Sequence, residues 1–522
     1  MRVLLVGPER EENLSLRYLS GALLAAGHQA TLAAFDSLDD LGRVVAAARG
    51  ADAVGLSLCF QARAREFLTL ATALKLFAPR VPVVVGGHYA TCAAAELLEH
   101  HPELDLVVLH EGEHTLVELC VAGFDPARYP AIPGLAYRDG AAIRRSAPRP
   151  AITDLDGLPH PDRRGPVRRL AGVRTAYLMG SRGCTSSCDY CCIVTLHRMA
   201  PGPRFRQRSV ASVADEMAAL YHQRGVRQFV FHDDNFLVPS VRKNHERLDA
   251  LQAAWAARGM TGLGFTIKCR PADAERSVFD KLARMGLLRV FLGVESGSAA
   301  GLRSIGRTPG ARGPEADVAA AEAALALCRE LGISAQYTLM CFHPDATLAT
   351  VRDDLDFFRR HDDFPLNFCR VETYAGTPLE ARLRAAGRGR GDYLARTYTI
   401  ADPAVDVASR LATRIFHQRC WANDSLMEVA IGLDHLGGVL RHFHGGPGVA
   451  AARARVRDWT VRVNRDLVAL LSELLAIAGE TTGLEDPALL RRTRALVDRE
   501  RASRAALLRE GLALRDHVRA LG

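Results

Sequence analysis

The sequence predicts an α/β protein in three parts: an N-terminal doubly wound parallel sheet, a central partial (β/α)6 TIM-like barrel and a C-terminal helical region. Three observations carry this prediction. Short apolar, β-branched runs alternate with helix-period stretches twice, once before residue 145 and again over 171–385. A Pro-rich connector over 146–170 separates the two series. Over 386–522 the alternation stops and Ala/Leu/Arg patterns of helical period take over.

In the first part, Arg2–Val6, Gln29–Phe35, Ala53–Leu58, Val81–Val85 and Leu104–Leu109 read as strands. Leu14–Ala26, Leu38–Ala48, Ala64–Phe77, Ala90–His100 and His114–Ala122 read as the intervening helices. Ligands of such sheets lie beyond the carboxyl ends of the strands. The candidate loops are therefore Gly7–Asn13, Ser57–Arg63, Gly86–Thr91 and His110–His114. Gly86-Gly87-His88-Tyr89-Ala90-Thr91 removes side chains where a strand feeds a helix, so backbone can approach a bulky or phosphorylated ligand. A plain tight β–α turn uses the same residues. Glu111-Gly112-Glu113 does likewise, with charge nearby.

Tyr137-Arg138-Asp139-Gly140-Ala141 reads as a hairpin around an Asp-Gly turn, and Pro148, Pro150, Pro159, Pro161 and Pro166 as an extended connector. Beyond Arg174, strands are expected at Ala176–Met179, Gln228–His232, Gly264–Lys268, Arg289–Val294, Ala335–Met340 and Asn367–Tyr374. Helices are expected at Val210–Arg224, Val241–Arg258, Ala274–Met285, Asp317–Leu331 and Leu348–Arg360. Such β–α units make a partial barrel whose chemistry belongs at the C-terminal strand ends.

Directly after the first barrel strand, Ser181-Arg182-Gly183-Cys184-Thr185-Ser186-Ser187-Cys188-Asp189-Tyr190-Cys191 sets three thiols in a Cys-x3-Cys-x2-Cys spacing. Soft sulfur ligands select iron–sulfur clusters, zinc or Cu(I). Structural zinc takes four protein ligands, and no second Cys-x-x-Cys or finger-spaced His pair accompanies this loop. Three thiolates that leave one position open suit a cluster that also binds a substrate or cofactor. Structural zinc is the competing reading.

With Tyr190 before its last cysteine, the loop resembles the signature of the radical S-adenosylmethionine (SAM) superfamily. The resemblance implies that Cys184, Cys188 and Cys191 hold three irons of a [4Fe–4S] cluster, with SAM chelated to the fourth and Tyr190 beside it. Gly55-Leu56-Ser57, the Gly86–Thr91 and His110–Glu113 segments and the connector Asp154–Pro161 resemble the subfamily in which a cobalamin-binding domain precedes the radical SAM domain. That implies a Rossmann/flavodoxin-like cobalamin domain contacted through Ser57, Gly86, Gly87, His88, Thr91, Glu111 and Gly112. No Asp-x-His-x-x-Gly occurs, so cobalamin is expected base-off, with no histidine on cobalt. A sheet of this shape that binds no cofactor is the alternative.

The barrel-strand ends supply further candidates. His232-Asp233-Asp234-Asn235-Phe236 offers acceptors to an ammonium group, and its likeness to the subfamily's SAM segment implies contacts from Asp234 and Asn235. Lys268 and Arg270 offer cations to a carboxylate. Gly293-Val294-Glu295-Ser296-Gly297 resembles the family's Gly-x-Glu-Ser-Gly, which implies Glu295 or Ser296 at the ribose or amino-acid end of SAM; a solvated loop is the plain alternative. Phe342-His343-Pro344-Asp345-Ala346-Thr347 parallels a Gly-x-Pro-x-x-Thr turn, with His343 in place of glycine.

In the C-terminal region Asp466–Ile477 and Pro487–Ala520 read as long helices, expected to cap the barrel mouth, exclude water and carry substrate identity. His442-Phe443-His444 reads as strand or loop. The net charge of +8 is spread over scattered Arg, compatible with anionic ligands but not a concentrated nucleic-acid patch. The 12 cysteines form no disulfide-like framework, which points to a reducing cytoplasm; neither a secretory leader nor a membrane span is expected. The resemblance implies a cobalamin-dependent radical SAM enzyme, foremost a C-methyltransferase at an unactivated carbon of a small-molecule natural product. It would act through a 5′-deoxyadenosyl radical and methylcobalamin, with an external flavodoxin- or ferredoxin-like electron donor. Oxidative cyclisation or ring rearrangement with the same cofactors, and a non-catalytic cluster or cobalamin sensor, are the alternatives.

Overall fold

The structure, a computed structural model, describes residues 1–308, 313–480 and 487–522. The chain divides into two compact units. The first comprises Met1–Pro166, Tyr177–Glu216 and Thr373–Thr397; the second comprises Val167–Ala176, Met217–Glu372 and Tyr398–Gly522.

The first unit is organised on β1 (Arg2–Gly7), β2 (Gln29–Ala34), β3 (Ala53–Ser57), β4 (Val83–Gly86), β5 (Leu106–Val108), β6 (Leu135–Asp139) and β7 (Ala142–Arg145), in the order β2-β1-β3-β4-β5-β6-β7. β1 to β5 run parallel, and the Asp-Gly hairpin β6–β7 extends the sheet antiparallel from β5. Connecting helices are α1 (Leu14–Ala25), α2 (Leu41–Ala48), α3 (Ala64–Phe77), α4 (His88–Cys92), α5 (Ala94–His100) and α6 (Glu113–Val121). Strand period decides which helices cover which face. Val3 and Leu5 enter the core with Leu16 of α1 and Leu116 of α6, whereas Leu4 and Val6 enter the core with Val44 of α2, Phe67 of α3 and Leu97 of α5. Each such buried Val or Leu contributes about 1.5–3 kcal/mol. The doubly wound sheet is as expected, except that the helix anticipated over Ala90–His100 starts at His88 and breaks at Ala93.

The second sheet has the order β16-β15-β14-β13-β12-β9-β8. Its strands begin with β8 (Arg168–Leu170) and β9 (Val173–Leu178), an antiparallel pair whose first member lies where the sequence suggested extended connector. Between β9 and the rest come β10 (Ser181–Arg182) and β11 (Arg206–Gln207), which pair with each other in the first unit. Then follow β12 (Gln228–Phe231), β13 (Gly264–Cys269), β14 (Leu287–Glu295), β15 (Ser334–Phe342) and β16 (Leu366–Arg370), all parallel. The intervening helices are α7 (Cys192–Met199), α8 (Val210–Arg224), α9 (Val241–Ala257), α10 (Arg276–Met285), α11 (Ala299–Ser304), α12 (Pro314–Leu331), α13 (Leu348–Arg360) and α14 (Pro378–Ala385). On β14, Val290, Leu292 and Val294 are buried, while Arg289, Phe291, Gly293 and Glu295 keep partial exposure. One face of this sheet is sealed by packing and the other stays accessible.

The C-terminal region forms α15 (Pro403–Ile415), α16 (His417–Cys420), α17 (Leu426–Phe443), α18 (Pro447–Gly479) and α19 (Pro487–Arg519). Within this region α17 lies across the N-terminal ends of the strands, while Tyr398 donates to the carbonyl of Phe342, the last residue of β15, and Ser409 of α15 accepts from Arg370, the last residue of β16. Gln228, the first residue of β12, donates its amide to His435 (3.0 Å), and Ser334, the first of β15, donates to the Asp434 carbonyl (3.0 Å). His442 and His444 bond the carbonyls of Leu263 (2.9 Å) and Ala171 (3.2 Å), just ahead of β13 and β9. Both histidines end a helix rather than lying in a strand. The missing side chain of Gly438 allows the approach: a Cβ there would stand 3.0 Å from the Ser334 hydroxyl. Among the described residues no helix is long and apolar enough to cross a membrane.

Candidate functional site

In the first unit, the cysteine loop is closed at its base by the β10–β11 pair and continues into α7. Gly183 starts it at φ +80, where a Cβ would collide with the Arg204 carbonyl oxygen; only glycine fits this corner. Inside the loop the Ser186 amide donates to the Cys184 sulfur (3.4 Å), and the Cys191 amide donates to the Cys188 carbonyl (3.3 Å). The Leu379 amide of α14 holds the Asp189 carbonyl (3.2 Å), and Arg204 donates to Ser187 (3.1 Å), so the loop is braced from two sides. Cys188 is buried; Cys184, Cys191 and Tyr190 are half-buried. Among the described residues no two cysteines are joined in a disulfide. Among the described residues no three His, Cys, Asp or Glu side chains form a preformed cage. The thiols are offered by one loop as a soft donor set, which fits an iron–sulfur cluster.

The same unit brings the other predicted loops together, because β3, β4 and β5 are adjacent and parallel. Ser57, Gly86-Gly87-His88 and Glu111-Gly112 therefore follow neighbouring strand ends. Gly87 has φ +112, and a Cβ would lie 2.9 Å from the Leu58 carbonyl oxygen, so backbone lines this cradle. Desolvation lowers the His88 imidazole to about 4, leaving it neutral. Thr91 turns inward: its hydroxyl accepts from the His110 amide (3.0 Å), which holds His110 at φ +60. Glu111 accepts from Arg182 (2.8 Å), Arg206 (2.7 Å) and the Ile152 amide (2.7 Å). Burial pushes this carboxyl up, but the two guanidinium groups outweigh it and hold it at about 2. Ser57, Gly86, Gly87, His88 and Gly112 stand at or just beyond these adjacent strand ends, the position from which a sheet of this kind meets a ligand, so their placement fits a cofactor approached by backbone.

In the second unit the strand ends gather the remaining candidates. Asp234 is exposed and Lys268 half-buried. Asn235 is 1% exposed, donating to Asp273 (2.9 Å) and accepting from the Arg270 amide (3.3 Å), so it braces the end of β13. Arg270 donates to the Thr308 carbonyl (2.5 Å). Glu295 has φ +71, unusual for a side-chain-bearing residue, and lies 3.5 Å from Arg307. Ser296, also 1% exposed, donates to Asp354 (2.8 Å), which accepts the Gly297 amide as well (2.7 Å). Ser296 thus supports the loop that presents Glu295.

Sequence reasoning missed Asp354, Arg182 and Arg206. Asp354 left a trace, an acid on the buried Val351, Leu355, Phe358 face of α13. The arginines left none beyond flanking the cysteine loop. Asp354 is fully buried, and desolvation, only partly offset by Ser296, Gly297 and Cys341, raises it to about 7. His343 donates or accepts at Ser304 (2.8 Å) and is lowered to about 4 by burial.

With this geometry in place, comparisons assign the two segments. Residues 3–120 match the family model of the B12 binding domain, and residues 178–358 match that of the radical SAM superfamily. The chain is similar to an uncharacterised methyltransferase of Pyrococcus horikoshii, 27% identical over 331 residues, covering 63% of this chain and 68% of that one. It is similar to the anaerobic magnesium-protoporphyrin IX monomethyl ester cyclase of Cereibacter sphaeroides, 29% identical over 240 residues, covering 44% of this chain and 37% of the cyclase. In fold it is similar to the radical SAM methyltransferase TsrM from Kitasatospora setae, solved with cobalamin and a [4Fe–4S] cluster: TM-score 0.59, 22% identity, 74% of this chain and 75% of that one.

Proposed function

We propose that this chain, which belongs to the radical SAM superfamily and carries a B12-binding domain ahead of it, is a methyltransferase acting at an unactivated carbon of a small molecule. The observation that carries the reading is the joining, within one compact unit, of the three-thiol loop and the cradle of a B12 domain. The likeness to a methyltransferase supports the transfer of a methyl group. In this reading Cys184, Cys188 and Cys191 hold a [4Fe–4S] cluster, and Ser57, Gly86, Gly87, His88 and Gly112 hold cobalamin. When bound, the cluster with SAM supplies one-electron chemistry and the corrinoid a transferable methyl group. Asp234, Lys268, Arg270 and Glu295, at the strand ends of the second unit, offer groups suited to SAM: carboxylates for its ammonium or hydroxyl groups and cations for its carboxylate. Asn235, Ser296 and Asp354 keep those groups in place. A one-electron donor of the flavodoxin or ferredoxin type completes the cycle.

The likeness to the cyclase favours a second reading, oxidative cyclisation with the same cofactors and no methyl gain. Anaerobic reconstitution with iron, sulfide and cobalamin, followed by mass spectrometry of SAM and substrate products, separates them. Methyl transfer predicts 5′-deoxyadenosine together with a product heavier by one methylene. An unmethylated, dehydrogenated product would establish cyclisation. One bound zinc and no iron would remove both readings.

A further inference from the structure

Glu111 follows β5 on the B12-domain sheet, yet its carboxylate is directed at the flanks of the cysteine loop. Its Oε1 accepts from Arg182 Nη1 (2.8 Å), and Arg182, on β10, lies two residues before Cys184. Its Oε2 accepts from Arg206 Nη1 (2.7 Å) on β11, the strand that returns after the loop. Arg206 Nη2 in turn meets His197 Nδ1 (3.1 Å) on α7, the helix the loop runs into. Arg182 Nη2 reaches Glu113 (2.5 Å), and its guanidinium lies over the Tyr18 ring of α1 (5.3 Å). The four charged side chains are 3–12% exposed, so the pairs are little screened by water and removing one partner leaves an uncompensated buried charge. Two anions of one loop face two cations that bracket the other, and the contacts fix where the cysteine loop starts and where it returns.

We infer that Glu111 and Arg182 are positioning residues that lock the cysteine loop to the corrinoid cradle, so that occupancy of either site stabilises the other. This rests on the cobalamin reading above. It predicts cross-effects. Arg182, which belongs to the cysteine loop, should matter for cobalamin affinity; Glu111, which belongs to the sheet, should matter for the cluster.

The test is a double-mutant cycle on the full chain with Glu111→Gln, Arg182→Met and the pair. Aquocobalamin affinity is read by visible titration, and the reduced cluster by iron content and electron paramagnetic resonance. The expected result is roughly tenfold weaker cobalamin binding in each single variant, no further loss in the double, and a shifted cluster signal in Glu111→Gln with iron retained. Weakened binding in Glu111→Gln alone would make Glu111 a direct ligand and overturn the inference. So would a lowered melting temperature with cobalamin affinity and cluster signal unchanged. If a single variant fails to fold, the charge-swapped pair Glu111→Arg/Arg182→Glu decides: restored folding with wild-type cobalamin affinity is expected, and restored folding without it overturns the inference. Wild-type protein that binds no cobalamin overturns the functional reading itself, an outcome visible before any variant is made.

Discussion

The two sheets solve the same problem by opposite electrostatics. Both have a parallel core and present loops at its C-terminal strand ends. In the first, the positions proposed to meet cobalamin are Ser57, glycines and a neutral histidine, and charges are buried nearby in the Glu111–Arg182–Arg206 network. In the second, the charges Asp234, Lys268 and Glu295 stay at least partly accessible, and the group behind the Glu295 loop is an acid, Asp354, that accepts from the Ser296 hydroxyl and the Gly297 amide. In the proposed reading a large cofactor is met by backbone, whereas a small zwitterion is met by side-chain charge.

Four experiments would break or sharpen this contrast. The largest effect is expected from Cys184→Ala, Cys188→Ala or Cys191→Ala. Bound iron should fall well below the ~4 atoms of an intact cluster, and activity by at least about a thousandfold, because each thiol would supply one of three protein ligands. Full activity with Cys192 substituting would contradict the loop assignment. Next is Gly87→Ala, where φ +112 and the Leu58 carbonyl leave no room for a Cβ. It should cost about 1–3 kcal/mol of stability and weaken cobalamin binding, while SAM binding is unaffected.

The third concerns pH. Asp354 rises from 3.8 to about 7 on folding, so the native chain binds an extra proton and this group's contribution to stability falls as pH climbs between those values. Asp354→Asn keeps an acceptor for Ser296 and Gly297. It should flatten that slope in urea melts and be more stable than wild type above pH 7 by about 1–3 kcal/mol. Glu111 has the opposite sign: lowered from 4.5 to about 2, it stabilises above pH 4.5 and loses this as pH falls towards 2. Identical slopes for Asp354→Asn and Glu111→Gln would erase the contrast. The smallest effect is expected from Lys268→Met, about tenfold weaker SAM binding by calorimetry with cobalamin affinity unchanged; no change would remove Lys268 from the SAM site.

What the chain determined by itself was local. Alternation of period 2 with period 3.6 laid out both sheets nearly strand by strand, since burial of one or both faces of a strand is written in consecutive residues. Thiol spacing marked the cluster loop, and the Gly-Gly pair marked a turn that backbone lines. Tertiary structure decided which polar residues stay accessible. Asp234 and Lys268 remain accessible, but Asn235, Ser296, Thr91 and Glu111, equally plausible as side chains, are engaged by partners 19 to 95 residues away. It also decided that α17 closes the N-terminal end of the second sheet, through Gly438 and His435 contacts that helical periodicity does not encode. A hydrogen bond across such separations depends on which strands become neighbours, and strand order is fixed only when the whole core packs.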